Sequence, residues 1–482
     1  MDTTRSRIHP GVILALACAA QFMVVLDIAI VNVALPSVQQ DLDVGQSTLQ
    51  WVVIAYGLVL GGFLLLGGRM ADLVGRRRTL LAGMTTFSAA SFVAGIAQSS
   101  AVLITARGFQ GFGAALVAPA ALSILAVTFS EGRERNRALG IFGAIGGGAA
   151  SVGVIASGLL TDGPGWRWVF FINIPVGILL IGLGLAFLPV DRAERGTRNF
   201  DAAGATTVTG GLLALVYALN RGAEDGWTAI TTLSTFAAAA LLLASFVWIE
   251  ARSPAPLVPS AAVKHRTLVA ANLSAFFAFS AFFSFIFLGS LFMQQVLGYS
   301  PTKTGVAWLA TSVTAFVGAG VAGARLVAVV GVRKLLVTGL SLLAIGMLWL
   351  TRVPADADYL TDLLPAFVLA GLAIGLCAPS AQIGALSGVS ESTSGLASGL
   401  VETMREIGGA AGVAAVSTAL VSRGGLDGFH AAFVVICVGA ALGAVATGLV
   451  FPRRARPAEG DAFVPETAGD TVLVPARVAV ED

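Results

Sequence analysis

Charged residues are scarce in this 482-residue chain. Only 12% of the residues are Asp, Glu, Lys or Arg, whereas 56% are hydrophobic and the mean hydropathy is +0.87. A water-soluble core could not hide that much apolar surface, so the composition excludes an ordinary soluble protein. The formal net charge is only +2, which gives no reason to expect nucleic acid as a partner.

Cysteine and phosphate-binding sequences are scarce as well. The three cysteines, Cys18, Cys377 and Cys437, all fall inside apolar runs, where they behave as small buried side chains rather than as a disulfide framework or a metal site. The spacing GFQGFG at 108–113 resembles a nucleotide-binding loop only superficially, because it lies within an apolar run. We therefore expect no metal, no other cofactor and no coupling to ATP.

Apolar runs of about 20 residues recur along the chain, which is the length that an α-helix needs to cross the hydrocarbon layer. A β-barrel would show alternating polarity instead. The first run is too long for the apolar core of a signal peptide, so it is counted as a helix. The runs predict fourteen transmembrane helices, at 11–35, 48–68, 79–97, 101–127, 138–160, 167–189, 201–219, 229–249, 268–293, 303–327, 335–351, 362–386, 395–421 and 429–451.

Basic residues alternate between the two sides of this predicted bundle. Cytoplasmic loops retain Lys and Arg, and with the N-terminus inside, most of the 29 basic residues fall in cytoplasmic segments. The pattern predicts a multi-pass membrane protein with both termini cytoplasmic. Arginine greatly outnumbers lysine, which hints at a bacterial genome and hence at an inner membrane. The segment 387–394 is an exception, since Glu391 is its only charge. The predicted outer loops hold only Arg167, Arg221, Lys303, Arg352 and Arg423.

An internal repeat divides the chain. The segment at 67–83 reappears at 323–339, with Gly75, Arg77 and Gly83 among the identical positions. The copies follow the second and the tenth predicted helix, so two helices must be inserted between two six-helix halves. A weaker echo, between 145–154 and 407–416, pairs the fifth helix with the thirteenth. The predicted domains are an N-terminal six-helix bundle, two inserted helices with linkers, a C-terminal six-helix bundle and a disordered cytoplasmic tail, at 1–190, 191–267, 268–451 and 452–482.

Five motifs stand at defined places in this pattern. They are LDIAIVNVALP at 26–36; Gly68, Asp72, Gly75, Arg76 and Arg77; Arg107, Gln110, Gly111 and Gly113; WRWVFFINIPVG at 166–177; and LGYSPTKTGVAWL at 297–309. Together they resemble the major facilitator superfamily, and within it the fourteen-spanning drug:proton antiporters. One departure is that the antiporter signature expects a Gly-Pro pair in the fifth helix, where this chain has Gly153 and Val154.

The resemblance implies an all-α membrane protein with the major facilitator fold, built from two six-helix bundles plus two extra central helices. It implies an exporter of amphipathic drugs or antibiotics that works by proton antiport, with the proton gradient in place of a cofactor. The partners would be a small amphipathic substrate and the lipid bilayer, and we expect a monomer. The alternative is a proton symporter or uniporter for a small metabolite. A membrane enzyme is disfavoured, because the chain has no evident nucleophile, metal cluster or soluble domain.

Five charged residues lie inside predicted helices: Asp27, Arg107, Glu402, Arg405 and Glu406. Each costs about 2.5 to 3.5 kcal/mol at the centre of a membrane helix, so we expect each to be paired or to face a cavity. Asp27 and Arg107 lie at similar depths, about 12 Å and 9 Å from the outer ends of their helices. Since the resembled fold places both helices beside a central cavity, we expect Asp27 to bind the transported proton and Arg107 to modulate its affinity. A permanent salt bridge that only fastens the two helices is the alternative.

Glu402 and Glu406 share one face of the thirteenth predicted helix, where the resembled family usually has Asn and Gln. Their charges repel, and Arg405 can neutralise one of them. The other carboxylate would then suit a proton carrier or the recognition of a cationic substrate. Alternatively, Glu402 extends toward the nearby cytosol.

Several residues are assigned to movement, packing or substrate contact. Gly68, Asp72, Gly75, Arg76 and Arg77 are expected to form a conformational latch as the halves rock. The candidate substrate cavity contains Gln110, Phe279 and Phe283. Most phenylalanines of the helix at 268–293 are expected to face lipid. Close helix packing is predicted at Gly111, Gly113, Gly143, Gly146 and Gly147.

Overall fold

The structure is a computed structural model that describes residues 10–189, 201–253, 256–259, 262, 264–322, 326–390 and 393–452. The regular elements in these ranges are helices. In chain order they are α1 Pro10–Leu42, α2 Gln46–Val74, α3 Arg76–Gly95, α4 Ser100–Thr128, α5 Arg133–Asp162, α6 Trp168–Phe171, α7 Asn173–Phe187, α8 Ala202–Glu224, α9 Ile230–Glu250, α10 Arg266–Leu291, α11 Pro301–Ala307, α12 Leu309–Val321, α13 Val327–Val330, α14 Val332–Leu350, α15 Leu364–Leu386, α16 Ser394–Arg423 and α17 Gly425–Val450. Two π-helical turns, Phe292–Val296 and Tyr359–Leu363, continue α10 and precede α15.

Each of the fourteen predicted helices coincides with one of these helices or with consecutive short ones. The predicted sixth helix is divided into α6 and α7, because Pro175 cannot donate the hydrogen bond that would continue the first turn. The main difference lies at the ends, where α1, α2 and α5 extend past the apolar runs into polar residues.

Eleven helical segments of the described residues are long and apolar enough to cross a membrane. The other three predicted spans, α3, α5 and α16, are helices of 20, 30 and 30 residues but have less apolar sequences. The structure therefore agrees with an all-helical multi-pass protein and identifies eleven candidate spans.

The two copies of the repeat share a local conformation. Gly75 and Gly331 have φ angles of 106° and 86° and stand immediately before α3 and α14. Side chains other than glycine rarely adopt such angles, which explains the glycine in both copies. Residues 323–325 of the second copy, including Arg325, lie outside the described residues.

The repeat also conserves a contact with the last helix of each predicted half. Arg77 donates a hydrogen bond of 2.6 Å to the carbonyl oxygen of Leu185, near the end of α7. Arg333, its counterpart, donates to the carbonyl oxygen of Gly448, near the end of α17. A cation close to the carbonyl end of a helix is favoured by the helix dipole, so both arginines fasten equivalent helix ends.

The weaker echo corresponds to equivalent pairs of packed helices. A Cβ atom added to Gly153 of α5 would lie 2.8 Å from the Cβ of Ala29 in α1. Added Cβ atoms at Gly408 and Gly412 of α16 would meet the backbone of α10 in the same way. Helix α5 continues through Gly153 to Asp162 without a proline break.

The glycine predictions are confirmed in part. Added Cβ atoms at Gly111 and Gly113 would overlap the backbones of α2 and α3, and one at Gly143 would touch Pro379 of α15. Gly146 is different, because a Cβ there would have no atom within 4 Å. The prediction of close packing is therefore wrong for Gly146, whose missing side chain leaves open space. The side-chain environment of Gly147 is outside the described part of the chain.

The expectation that most phenylalanines of α10 face lipid is wrong. Phe285 is fully buried, and the other six are half-buried rather than exposed. The reason is that α15, α16 and α17 all pack against α10 and enclose it. The six half-buried residues are Phe276, Phe277, Phe279, Phe282, Phe283 and Phe287.

The inserted helices lie beside the contact between α2 and α16. A Cβ added to Gly62 of α2 would overlap Leu213 of α8. After α8, the indole of Trp227 donates a hydrogen bond of 2.6 Å to the hydroxyl of Thr418 in α16. Helix α9 packs on α8 and exposes much of its apolar surface. Residues 190–200, the terminal arginines Arg5 and Arg7, and the predicted tail beyond Pro452 lie outside the described residues.

Candidate substrate and proton site

Asp27 stands at the centre of a buried polar network in the N-terminal half. Its exposed fraction is 0%. The carboxylate Oδ2 lies 2.5 Å from Nη1 of Arg107 in α4. Oδ1 accepts hydrogen bonds from Nε2 of Gln110 at 3.2 Å and from Nδ2 of Asn173 in α7 at 2.8 Å. The predicted pairing of Asp27 with Arg107 is therefore present, and the network supplies the partners that a buried carboxylate needs.

Arg107 connects this network to α2. Its Nε donates to the carbonyl oxygen of Val52 at 3.0 Å, and its guanidinium lies 4.3 Å from the ring centre of Tyr56. Nη1 also donates to the side-chain oxygen of Gln110 at 3.0 Å. Helices α1, α2, α4 and α7 thus meet around a single ion pair.

Gln110, a candidate for the substrate cavity, is enclosed within the bundle in this structure. Its exposed fraction is 0%, and its Nε2 bonds both Asp27 and the hydroxyl of Ser91 in α3, the latter at 2.7 Å. It therefore belongs to the polar network around Asp27. Asn173 was not singled out from the sequence, although it is the one amide in the apolar run FFINIPVG and that run offered the signal.

A second charged cluster lies in α16. Nη1 of Arg405 is 2.6 Å from Oε2 of Glu402, and Nη2 is 3.1 Å from Oε1 of Glu406. The side chain of Arg405 is 14% exposed, that of Glu402 is 2% exposed and that of Glu406 is 15% exposed. Glu402 therefore does not extend toward water, because it is enclosed and paired within the bundle.

Arg405 contacts both carboxylates of the cluster. Its Nε and Nη2 both form hydrogen bonds with Glu406. Its Nη1 forms a short ion pair with Oε2 of Glu402, so one guanidinium is paired with both carboxylates. Gln382 of α15 donates a long hydrogen bond of 3.4 Å to the other oxygen of Glu402.

Aromatic side chains join the two clusters. Tyr56 lies close enough to interact electrostatically with Asp27 and Arg107 on one side and with Arg405 and Glu406 on the other. The guanidinium of Arg405 lies 5.3 Å from the ring centre of Phe279, within the range of a cation–π contact. The rings of Phe279 and Phe283 meet edge to face, with centres 5.6 Å apart. Both candidate cavity phenylalanines therefore lie beside the α16 cluster.

The side chain of Asp72, in α2 of the N-terminal half, contacts the first turn of α16 in the C-terminal half. Its two carboxylate oxygens accept hydrogen bonds from the backbone amides of Gly395 and Leu396, each at 2.8 Å. This is a favourable position for an anion, because the first amides of a helix lack partners within the helix and carry partial positive charge. We call the end of the bundle that holds Asp72 and Gly395 the latch end.

The helices α2 and α16 are in backbone contact at the latch end. A Cβ added to Gly68 would overlap the carbonyl oxygen of Gly395, and one added to Gly395 would overlap the carbonyl oxygen of Gly68. Arg76 donates to the hydroxyl of Ser123 at 3.1 Å and to that of Ser394 at 3.5 Å. Three of the five predicted latch residues thus contact the other half, namely Gly68, Asp72 and Arg76. Gly75 forms the turn before α3, and Arg77 bonds α7 of its own half.

A second set of contacts at the latch end was missed from the sequence. Glu131 accepts a hydrogen bond of 3.1 Å from the backbone amide of Gly388, and Arg135 donates to the carbonyl oxygen of Leu386 at 3.5 Å. The weakly charged segment that broke the charge pattern is therefore bound through its backbone by charged side chains of the other half. Its lack of charge was the only available signal.

The opposite end of the N-terminal half is fastened by Asp41. Arg167 lies 2.6 Å from its Oδ2, and the indole of Trp166 donates to the same oxygen at 3.2 Å. These hydrogen bonds, first from Arg167 and then from Trp166, lower the pKa of the Asp41 carboxyl. The contact therefore remains charged throughout the physiological pH range.

Comparison with known proteins identifies the family. The Major Facilitator Superfamily profile matches residues 17–326 and, in a second match, residues 271–480. The puromycin resistance protein pur8 of Streptomyces alboniger is 42% identical over 364 residues, which cover 75% of this chain and 72% of that protein. The multidrug resistance protein Stp of Mycobacterium tuberculosis is 37% identical over 356 residues, or 74% of this chain and 64% of that protein.

The alignments thus span between about two thirds and three quarters of the relatives' own lengths. Among solved structures, the human organic anion transporter MFSD10 (TETRAN) is similar with a TM-score of 0.69 at 15% identity, covering 91% of this chain and 99% of that one. This likeness supports the fold alone. The expectation of an all-helical transporter rather than an enzyme is confirmed by the family match, and the chain belongs to the major facilitator superfamily.

Proposed function

We propose that this protein is a drug:proton antiporter that exports amphipathic drugs or antibiotics from the bacterial cytoplasm, driven by the proton gradient and without another cofactor. The observation that carries the proposal is the fully buried carboxylate of Asp27, held against Arg107 where four helices meet. A buried ionisable group at membrane depth is expensive and suits a proton site. The similarity to proteins named for puromycin and multidrug resistance supports drugs as the cargo.

The proposed architecture is that of the fourteen-spanning antiporters. At 1.5 Å per residue, even α3, the shortest of the three less apolar helices, is about 30 Å long, enough to cross the hydrocarbon layer. We propose the domains 1–190, 191–267 and 268–451. Both termini, and therefore the latch end, would face the cytoplasm, and the protein would work as a monomer in the bilayer with a small amphipathic substrate.

Protonation of Asp27 would act through α1 on α5. When Asp27 is neutral, its attraction to Arg107 weakens, whereas Arg107 keeps its contacts with Val52 and Tyr56. The turn of α1 that holds Asp27 also contacts α5, because the hydroxyl of Ser157 donates a hydrogen bond of 2.5 Å to the carbonyl oxygen of Ile30. A shift of α1 would thus be transmitted to α5, which packs against α12 and α15 of the other half.

The test is to replace Asp27 with Asn in the full chain. Everted membrane vesicles that contain wild-type protein should accumulate a fluorescent amphipathic quaternary ammonium compound, which protonation cannot trap, when acidified inside, and a protonophore should abolish the accumulation. Asp27→Asn should abolish the accumulation measured per folded molecule. Asp43→Asn, at an exposed position, is the matched control.

Three outcomes distinguish a proton site at Asp27 from a purely structural ion pair and an antiporter from a symporter. Normal proton-driven accumulation in Asp27→Asn would contradict a proton site at Asp27. If the ion pair only fastens helices, the variant should retain coupling per folded molecule; a loss of thermal stability is expected in either case, since breaking a buried pair costs about 3 to 5 kcal/mol. Proton-driven transport in the inward direction by the wild type would favour the symporter.

A further inference from the structure

The connection between the inserted helices α8 and α9 lies at the end of the bundle opposite the latch end, which we call the far end. Helix α8 begins near the latch end, since Ala205 in its first turn shares a buried apolar cluster with Leu396 of the latch. At 1.5 Å per residue, α8 rises about 30 Å from there to Glu224. Helix α16 also starts at the latch end and rises about 36 Å to Thr418 by the same geometry. The last turn of α8 and Thr418 therefore lie together at the far end.

The indole of Trp227 is held in place by the two inserted helices. A Cβ added to Gly222 would lie 2.8 Å from its ring, so the indole packs directly on the backbone of α8. The ring of Phe236, in α9, stacks against it with ring centres 6.1 Å apart. The chain turns before the indole at Gly226, whose φ of 94° is rarely adopted by other residues. The orientation of the indole N–H group is thus set by the connection itself.

That N–H group binds the C-terminal half. Nε1 of Trp227 donates a hydrogen bond of 2.6 Å to the hydroxyl of Thr418 in α16. The hydroxyl donates its own hydrogen to the carbonyl oxygen of Ala414, one turn earlier in the same helix, at 2.9 Å. Because the hydroxyl hydrogen is used within α16, the hydroxyl acts as an acceptor toward the indole. The inserted pair is therefore bonded to α16 at the far end.

The same pair is packed against the N-terminal half. The rings of Trp51 in α2 and Tyr217 in α8 have centres 5.9 Å apart. Closer to the latch end, Leu213 of α8 occupies the space that a side chain at Gly62 of α2 would fill. Helix α8 thus lies against α2 along much of its length, and through Trp227 it reaches α16 as well.

This arrangement opposes one particular movement. Transporters of this fold expose their central region by rocking one half against the other. Here the halves are joined at the latch end, where Gly68 and Gly395 are in backbone contact, so the far end is where α2 and α16 can move apart. A hydrogen bond to α16 from helices that are packed on α2 resists that separation.

We propose that the inserted pair is a brace that limits how far α2 and α16 separate at the far end, and that Trp227 is a positioning residue that acts on α16 through Thr418. The proposal concerns the movement of the halves. It therefore holds whether or not transport is coupled to protons, and a failure of the proposed antiport would leave it standing.

The test measures two distances at the far end by pulsed electron double resonance, with the purified full-length protein in lipid nanodiscs and a cysteine-free background. Spin labels at Gly45, just before α2, and at Val421 of α16 report the separation that the brace limits; both positions are exposed. Labels at Leu159 of α5 and Val306 of α11, also exposed, report the contact of α5 with α11, away from the brace.

Trp227→Phe keeps an aromatic ring on α8 and removes the N–H donor. It should raise the ratio of longer to shorter Gly45–Val421 distances about three- to tenfold, the range expected for the loss of one neutral hydrogen bond. The Leu159–Val306 distances should stay unchanged. Trp248→Phe, at an exposed tryptophan of α9, is the control and should change neither distance.

Thr418→Val tests the same bond from α16 without touching the aromatic rings of the inserted pair. It should shift the Gly45–Val421 distances as Trp227→Phe does, and Thr418→Ser, which keeps the hydroxyl, should retain the wild-type ratio. The double variant Trp227→Phe/Thr418→Val should shift the ratio no further than either single variant, because both changes remove the same bond.

The proposal is overturned if Trp227→Phe and Thr418→Val leave the Gly45–Val421 distances unchanged. It is also overturned if their effects multiply in the double variant, since the two residues would then act separately. An equal shift in both label pairs would show a general loosening of the fold in place of a brace between α2 and α16, and would overturn it too.

Discussion

Replacing Asp72 with Asn should favour separation of the two halves at the latch end. The side chain keeps its size and one acceptor oxygen, so it can retain the bond with one of the two amides of Gly395 and Leu396. The other amide would face an NH2 group, which cannot accept its hydrogen. The negative charge at the start of α16 is lost as well. Since these contacts join α2 to α16, the change destabilises only the state in which the latch is closed.

The size of this shift follows from the two interactions that Asp72→Asn removes, one hydrogen bond and the negative charge at the start of α16. A hydrogen bond to a charged group contributes about 1.5 to 3 kcal/mol, and an anion at a helix N-terminus about 0.3 to 1 kcal/mol. Taking values near the lower ends gives about 2 kcal/mol, which corresponds to a roughly 30-fold increase in the ratio of open to closed latch. The contacts of Arg76 with Ser123 and Ser394 remain and keep the closed state accessible.

The ratio can be measured from distances between two spin labels. Suitable positions are Arg78 in the first half and Val329 in the second, which are both exposed. In a cysteine-free background, pulsed electron double resonance should show a larger share of the longer distance in Asp72→Asn. Glu134→Gln, a nearby exposed acid that bonds Ser130 within its own half, is the control. Identical distance distributions in Asp72→Asn and the control would refute this account of the latch.

Three other changes probe neighbouring features. Gly68→Ala should also open the latch, by roughly tenfold in the same distance assay, because overpacking costs about 1 to 3 kcal/mol, whereas Gly146→Ala, with open space around it, should have no effect. Arg135→Ala should raise the ratio of open to closed latch about threefold, in keeping with the roughly 0.5 to 1.5 kcal/mol of an ordinary hydrogen bond. An effect as large as that of Asp72→Asn would contradict the expectation that Asp72 contributes more than Arg135. Burial lowers the pKa of His265, whose ring nitrogen accepts from the amide of Leu268 at the start of α10. Acidification below pH 6.5 therefore protonates the unfolded chain first and lowers the Tm of the wild type, whereas His265→Asn, which caps without titrating, should lose this dependence.

The pairing of Asp27 with Arg107 was predictable because the rise of a helix is fixed. Counting residues from the ends of two spans gives the depth of each charge, and charges at one depth can meet. Asn173 could not be found in this way, since a neutral amide leaves no trace in charge patterns. Gln110 was singled out, but its bonds with Asp27 and Ser91 were not foreseen, because its polarity suits a cavity wall and a buried network equally well.

Only the residues that the N-terminal half contributes to the latch were predictable from the sequence. Its charged residues in the first repeat are visible in the sequence, but their partners at Gly388, Gly395 and Leu396 are backbone amides, which every residue except proline possesses. Glycine was ambiguous for a similar reason. It permits close contact at Gly111 and open space at Gly146, and sequence alone does not distinguish the two uses.

The two copies of the repeat share the arginine that bonds a helix end but differ at the latch carboxylate. Arg77 and Arg333 fasten equivalent helix ends, but the position equivalent to Asp72 is Ala328. Helix α5, the counterpart of α16, begins after Gly132 without a side-chain cap. A chain with a carboxylate in both copies of the repeat would keep the second of these carboxylates after losing the first. Here the second copy has no carboxylate to compensate, so the loss at Asp72 should appear almost undiminished in the balance between the two states.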